Sequence, residues 1–232
     1  MKKAASFALG CKVNQYESEA IAELFAEKGY EIVGIDEEAD VYVINTCTVT
    51  NFGDKKSRQL IRKVKRQNEN AIVAVVGCYA QTAPKELMEI AGVNLVIGTK
   101  DRAQIVEMVE QYDRANGVEN HVSDIMKERV FEPLSIQKLA NRTRAYLKIQ
   151  DGCSQYCSYC IIPYARGPIR SREPQEVVAE VKRLAENGFK EVVLTGIHVA
   201  SYGKDRRDTS LLDILKQVHE VEGIEQDSLQ LH

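Results

Sequence analysis

From Ala5 to Tyr112 the chain alternates short apolar runs with helical ones, and that alternation leaves few folds open. "ASFALGC" is a strand-like run, and "ESEAIAELFAEKGY" sets Ile21, Leu24, Phe25 and Lys28 at helical spacing before closing on Gly29. "EIVGI" and "DVYVINTC" follow as strands, then a charged helix, then the buried-type strand "AIVAVVGC". "APKELMEIAG" reads as a helix, "VNLVIG" as a strand and "RAQIVEMVEQY" as a helix. This order is the βα repeat of a doubly wound parallel sheet, so the fold class is α/β.

Three cysteines occupy one place in that repeat. Cys11 ends "FALGC", Cys47 ends "VINTC" and Cys78 ends "VVGC", each where a strand finishes. In an open parallel sheet the carboxyl ends of the strands lie along one edge, where ligands bind. Residues far apart in sequence are therefore predicted to converge there. The competing reading is that cysteine is a small hydrophobe at home in buried strands.

Residues 116–140 lack clear periodicity and read as a linker between a domain at 1–115 and a second at 141–232. In the second, "TRAYLKIQ" is a strand leading into a cysteine cluster, and "PQEVVAEVKRLAENG" is a helix with Pro174 in its first turn and Gly188 at its end. "KEVVLTGI" is the next strand, "HVASYGKDRRDTS" a polar loop and "LLDILKQVHEVEG" another helix, so a second βα series begins afresh.

The 232 residues carry a net charge of -3, which gives no overall pull toward nucleic acid. The apolar run in "MKKAASFALGC" is too short for a secretory core and no stretch reaches transmembrane length, so a cytoplasmic chain with no membrane partner is expected. Thiols stay reduced in that compartment, and six cysteines then point to metal or redox chemistry.

Cys153, Cys157 and Cys160 form C-x3-C-x2-C in the loop after a strand. A structural zinc site wants a fourth ligand, and the next candidate, His198, lies beyond a helix. A redox dithiol at Cys157 and Cys160 leaves Cys153 without a role. An iron-sulfur cubane on three thiolates keeps one iron open, which can chelate S-adenosylmethionine and deliver the electron that cleaves its sulfonium.

With Tyr159 just before the last cysteine, this spacing resembles the signature of the radical S-adenosylmethionine superfamily. "FALGCKVNQYESE", "VINTCTVT", "VVGCYAQ", "DGCSQYCSYCIIPYARG" and "LTGIHVASYG" together resemble its methylthiotransferases. "GCKVNQYES" is most similar to the branch acting on threonylcarbamoyladenosine beside the tRNA anticodon. The resemblance implies two [4Fe-4S] clusters, one on Cys153, Cys157 and Cys160 that cleaves S-adenosylmethionine, and an auxiliary one on Cys11, Cys47 and Cys78 that carries sulfur. It places Tyr159 near the adenine or the cluster and Thr195 and Gly196 at the cofactor's amino group. It also implies the tRNA anticodon stem-loop and an electron donor as partners. No acid-base or nucleophilic side-chain constellation stands out, as expected where an unreactive C–H bond is attacked by a radical.

Residues 54–68 concentrate Lys55, Lys56, Arg58, Arg62, Lys63, Lys65 and Arg66 around an apolar stripe of Leu60, Ile61 and Val64. That is either a solvated helix face or a local phosphate-binding one. Arg142, Arg144, Arg166, Arg170 and Arg172 form a second basic group, read as a place for a phosphate or nucleotide. Pro168 stands where the family usually carries a basic residue. A (β/α)8 barrel takes about 250 residues, so 141–232 is expected to hold only the first units of a partial radical-S-adenosylmethionine barrel, with "VEGIEQDSLQLH" departing from a strand pattern. The chain is read as a truncated form, and the alternatives are an inactive fragment, a noncatalytic iron-sulfur or zinc protein, or an RNA-binding module.

Overall fold

The computed structural model describes residues 1–48, 51–136 and 144–229, and of residues 51–54 the backbone alone. Arg142, the last four residues of 116–140 and the final three of the chain lie outside the described residues. The chain forms two compact units, one of Met1–Met126 together with Tyr164–Arg166, the other of Lys127–Pro163 and Gly167–His232.

The first unit runs β1 (Lys3–Ala8), α1 (Lys12–Glu27), β2 (Glu31–Ile32), β3 (Val41–Thr46), α2 (Asn51–Gln67), β4 (Ile72–Gly77), α3 (Cys78–Thr82), α4 (Pro84–Met88), β5 (Leu95–Val96), α5 (Ile105–Gln111) and β6 (Glu119–Asn120). Its strands lie in the order β2-β1-β3-β4-β5-β6, every pairing parallel. Period-two alternation divides the strand residues between two cores. Ala5, Tyr42, Ile44, Val73, Val75 and Val96 pack with Ile61 and Val64 of α2 and Leu87 of α4. Their neighbours Ala4, Val41, Val43, Ala74, Val76 and Leu95 pack with Ile21 and Phe25 of α1 and Ile105, Val106 and Val109 of α5. Both faces are covered by helices, which is the doubly wound arrangement.

Local details depart from the sequence pattern. Helix α1 begins at Lys12, more than a turn before the expected start, and its opening turns are buried through the polar Asn14 and Glu17 as well as Val13 and Tyr16. "APKELMEIAG" yields only the short α4, its first turn opened by Pro84, and β6 adds an edge strand inside the aperiodic stretch after residue 115.

The second unit contains β7 (Arg144–Asp151), α6 (Ile162–Arg166, whose last three residues pack with the first unit), β8 (Arg170–Ser171), α7 (Pro174–Glu186), β9 (Glu191–Gly196), α8 (Leu211–His219) and β10 (Gln226–Leu229). Its sheet order is β10-β9-β7-β8, with β9 parallel to both β7 and β10. These are the opening βα units of a barrel. The expectation that the chain's end departs from a strand is corrected: Gln226–Leu229 pairs in register with Glu191–Leu194. The polar Gln226, Asp227 and Ser228 hid it, because an edge strand needs backbone pairing more than apolar alternation. Among the described residues no helix is long and apolar enough to cross a membrane.

Candidate functional site

Strand order and register bring the first three cysteines to one edge. Ala8 pairs with Asn45, Asn45 with Val76 and Thr46 with Gly77, so the carboxyl ends of β1, β3 and β4 are level. Cys11, Cys47 and Cys78 stand just beyond those ends. The order 2-1-3-4 reverses direction between β1 and β3, the switch point where open α/β sheets leave a crevice.

Two glycines permit the approach. Gly10 has φ +96°, and a Cβ there would lie 2.7 Å from Cys47 Sγ. Gly77, at φ +95°, has no room for a side chain either, since a Cβ would lie 2.3 Å from Asn45 Oδ1. Asn14 ties the strand ends together: its Nδ2 donates to Leu9 O at 2.8 Å and Thr46 O at 3.0 Å, and its backbone carbonyl accepts from Asn45 Nδ2 at 3.1 Å. Cys11 Sγ lies 3.8 Å from Asn14 Oδ1.

A buried charge network closes around Cys78. Arg166 Nε donates to Cys78 Sγ at 3.1 Å, its Nη1 pairs with Glu17 Oε1 at 2.5 Å and its Nη2 donates to Asn14 Oδ1 at 2.5 Å. Arg102 Nη1 reaches the other oxygen of Glu17 at 2.5 Å, and all three charged side chains are 0% exposed. Burial pushes the Cys78 thiol up to about 11, an effect that the Arg166 charge opposes. A metal that takes this sulfur must displace its proton.

Cys153, Cys157 and Cys160 follow the end of β7 in the second unit. Cys153 N donates to Gly167 O at 3.0 Å, and Cys160 N to Cys157 O at 2.9 Å, which folds the loop back so that Cys157 and Cys160 share a turn. Gln150 anchors it: Nε2 donates to Asp151 O and Gly152 O, and Oε1 accepts from His198 N at 2.8 Å. Gly196 pairs with Gln150 and buried Thr195 with Lys148, so the end of β9 lies beside the strand that leads into the cysteines. Tyr159 is 91% exposed.

All six cysteines are free thiols, and an all-sulfur donor set suits iron-sulfur chemistry. Among the described residues no three His, Cys, Asp or Glu side chains stand close enough to hold a single metal ion. The ligands of a cubane are spread around four irons rather than drawn to one. His198 is engaged at both ring nitrogens, Nδ1 with Ser201 Oγ at 2.5 Å and Nε2 with Gln155 at 3.4 Å, so it is not held ready as a zinc ligand.

The four described arginines of the second basic group each have a carboxylate partner. Arg170 pairs with Asp151 at 3.5 Å, Arg172 with Glu180, Arg144 with Glu191 at 2.6 Å, and Arg166 with Glu17. The first three balance carboxylates inside the second unit. Asn14, Glu17 and Arg102 escaped sequence reasoning. The available signal was the i, i+3, i+6 spacing of Cys11, Asn14 and Glu17, which puts a thiol, an amide and a carboxylate on one helix face.

On α2, Ile61 and Val64 are fully buried while Arg62, Lys63, Lys65 and Arg66 line an open groove with Gln59 and Ala91. Several cations of α2 have internal partners: Lys63 pairs with Asp36, Arg58, outside the groove, with Glu86 at 2.8 Å, and Lys65 donates to Glu69 O and Ala71 O.

Comparison with known proteins agrees with this division. Residues 3–98 match the uncharacterized protein family UPF0004, and residues 147–225 the radical SAM superfamily. The threonylcarbamoyladenosine tRNA methylthiotransferase MtaB of Bacillus subtilis is 52% identical over 97% of this chain and 50% of its own length. The protein of that name from Aquifex aeolicus is 42% identical over 96% of this chain and 54% of its own. A tRNA-2-methylthio-N(6)-dimethylallyladenosine synthase of Dictyoglomus thermophilum is 34% identical over 91% and 49%. The chain thus spans about half the length of the curated relatives it matches. Among solved structures, the radical S-adenosylmethionine methyltransferase TsrM of Kitasatospora setae shares the fold at TM-score 0.55 and 17% identity, over 86% of this chain and 48% of that one.

Proposed function

We propose, from the premise that the chain belongs to the radical S-adenosylmethionine methylthiotransferase family, that it carries both cluster sites of a tRNA-modifying enzyme. Its reaction adds a methylthio group to C2 of threonylcarbamoyladenosine beside the anticodon. The observation that carries the reading is the placement of three free thiols, Cys11, Cys47 and Cys78, at the level ends of adjacent parallel strands. A lone radical-generating site would not need that second trio.

When bound, the clusters supply an open iron and an electron for cleaving S-adenosylmethionine at Cys153, Cys157 and Cys160, and a sulfur carrier at Cys11, Cys47 and Cys78. The chain's own residues shape both places. Gln150 fixes the strand-to-loop turn before Cys153, and Thr195 and Gly196 offer a small, close-packed strand end at which a cofactor amino group can meet backbone. Tyr159, being exposed, is available to stack on an adenine. The basic face of α2 supports contact with the phosphates of an anticodon stem-loop. An electron donor completes the set of partners.

The test is anaerobic incubation of the reconstituted chain with dithionite, S-adenosylmethionine and tRNA bearing threonylcarbamoyladenosine. The expected products are 5′-deoxyadenosine and a methylthio-modified nucleoside by mass spectrometry, both lost in Cys157→Ala. Cluster binding without S-adenosylmethionine cleavage would replace the enzyme reading with that of a noncatalytic iron-sulfur protein.

A further inference from the structure

We infer that Arg166 is a positioning residue for the auxiliary cluster, and that its guanidinium sets the cluster's reduction potential by holding a cation and an N–H against the Cys78 sulfur. The inference rests on the reading that Cys11, Cys47 and Cys78 hold that cluster.

The geometry is specific. A guanidinium has a planar fork of donors, and here Nε donates to the Cys78 sulfur at 3.1 Å, Nη1 and Nη2 both donate to the Glu17 carboxylate, at 2.5 and 3.1 Å, and Nη2 also donates to the Asn14 amide oxygen at 2.5 Å. Glu17 and Asn14 therefore aim Nε at the sulfur. Asn14 also pins the ends of β1 and β3 and lies against Cys11, so a single amide links the arginine to a second cysteine of the trio. The site holds two guanidinium groups, Arg166 and Arg102, about one carboxylate, all fully buried. That is an electropositive setting for an assembly of thiolates and iron, and one-electron reduction adds a further negative charge to it. In a buried site a fixed cation and an N–H···S bond favour the reduced form, two recognised levers on cluster potential.

Arg166 is six residues beyond Cys160 in the chain, and Tyr164–Arg166 packs with the first unit. Gly167, at φ +70°, ends α6 immediately after it, with its N–H on Pro163 O at 2.8 Å. The arginine is thus supplied by the segment that follows the other cysteine motif.

The experiment uses the full chain carrying Cys153→Ala, Cys157→Ala and Cys160→Ala, so that only one cluster contributes. Its potential is measured by dithionite titration followed by electron paramagnetic resonance, in this parent and with Arg166→Met, Arg166→Lys or Arg102→Lys added. Arg166→Met is expected to move the midpoint more negative by at least a tenfold change in the reduced-to-oxidised ratio, which is 59 mV for one electron. Arg166→Lys keeps the charge but cannot span all three partners, and is expected to shift it less in the same direction. If the Met variant takes up no iron, the Lys variant decides, its shift supporting the inference and a parent-like potential overturning it. Arg102→Lys loosens the same carboxylate, and a shift equal to that of Arg166→Lys would overturn the assignment to the sulfur contact. A cluster whose potential is unchanged in Arg166→Met overturns the inference alone. A parent that binds no cluster overturns the ligand reading and the inference with it.

Discussion

At the scale of single residues, Gly10 and Glu17 hold the surroundings of Cys11, Cys47 and Cys78 in shape by opposite means. Gly10 works by absence: a methyl at its α-carbon meets the Cys47 side chain, and its φ of +96° is strained for any other residue. Gly10→Ala is expected to cost about 1–3 kcal/mol from the backbone alone and to lower iron uptake at the first trio, read by thermal melting and iron counting together. Glu17 works by charge, pairing with both Arg166 and Arg102 where all three side chains are fully buried. Glu17→Ala removes the carboxylate shared by two buried guanidiniums and is expected to destabilise the chain by about 3–5 kcal/mol, the range for removing one partner of a buried pair. Chemical denaturation of the metal-free chain checks it. A loss below about 1 kcal/mol would mean that water or another group replaces the carboxylate.

At the scale of elements, the strands were legible because their cues are local. The runs "VYVINT" and "IVAVVG" are apolar on both faces, as a sheet covered on both sides requires, and the cysteines after them mark where pairing ends. The start of α1 and the strand β10 were hidden because buried Asn14 and Glu17 and the polar Gln226–Ser228 break the apolar pattern that signals an element. The ion pairs of the arginines near the second cysteine motif were hidden for a related reason: their carboxylate partners Asp151, Glu180, Glu191 and Glu17 are distant in sequence or unremarkable in it. Helix α2 keeps both of its readings in play, since an apolar stripe of Ile61 and Val64 accompanies a groove of cations. Replacing Arg62 and Arg66 by Gln is expected to weaken binding to an anticodon stem-loop and to reduce its salt dependence by up to about two units of slope. Melting temperature should move little, because these side chains face the groove. Unaltered binding would return the helix face to a merely solvated role.

At the scale of the whole molecule, each unit brings its own trio of cysteines to the end of a parallel strand. The first trio is assembled from three strands and so depends on tertiary folding, whereas the second lies within eight residues and depends on one loop. That difference predicts unequal sensitivity: mild denaturant should release iron from the first trio before, or together with, unfolding of its sheet. The decisive measurement is iron and sulfide per chain after anaerobic reconstitution, for the native sequence and for chains with either cysteine trio changed to alanine. Two [4Fe-4S] clusters falling to one in each variant is the predicted result. Zinc taken up in preference to iron, or an iron count unchanged when Cys11, Cys47 and Cys78 are removed, would contradict the two-site reading.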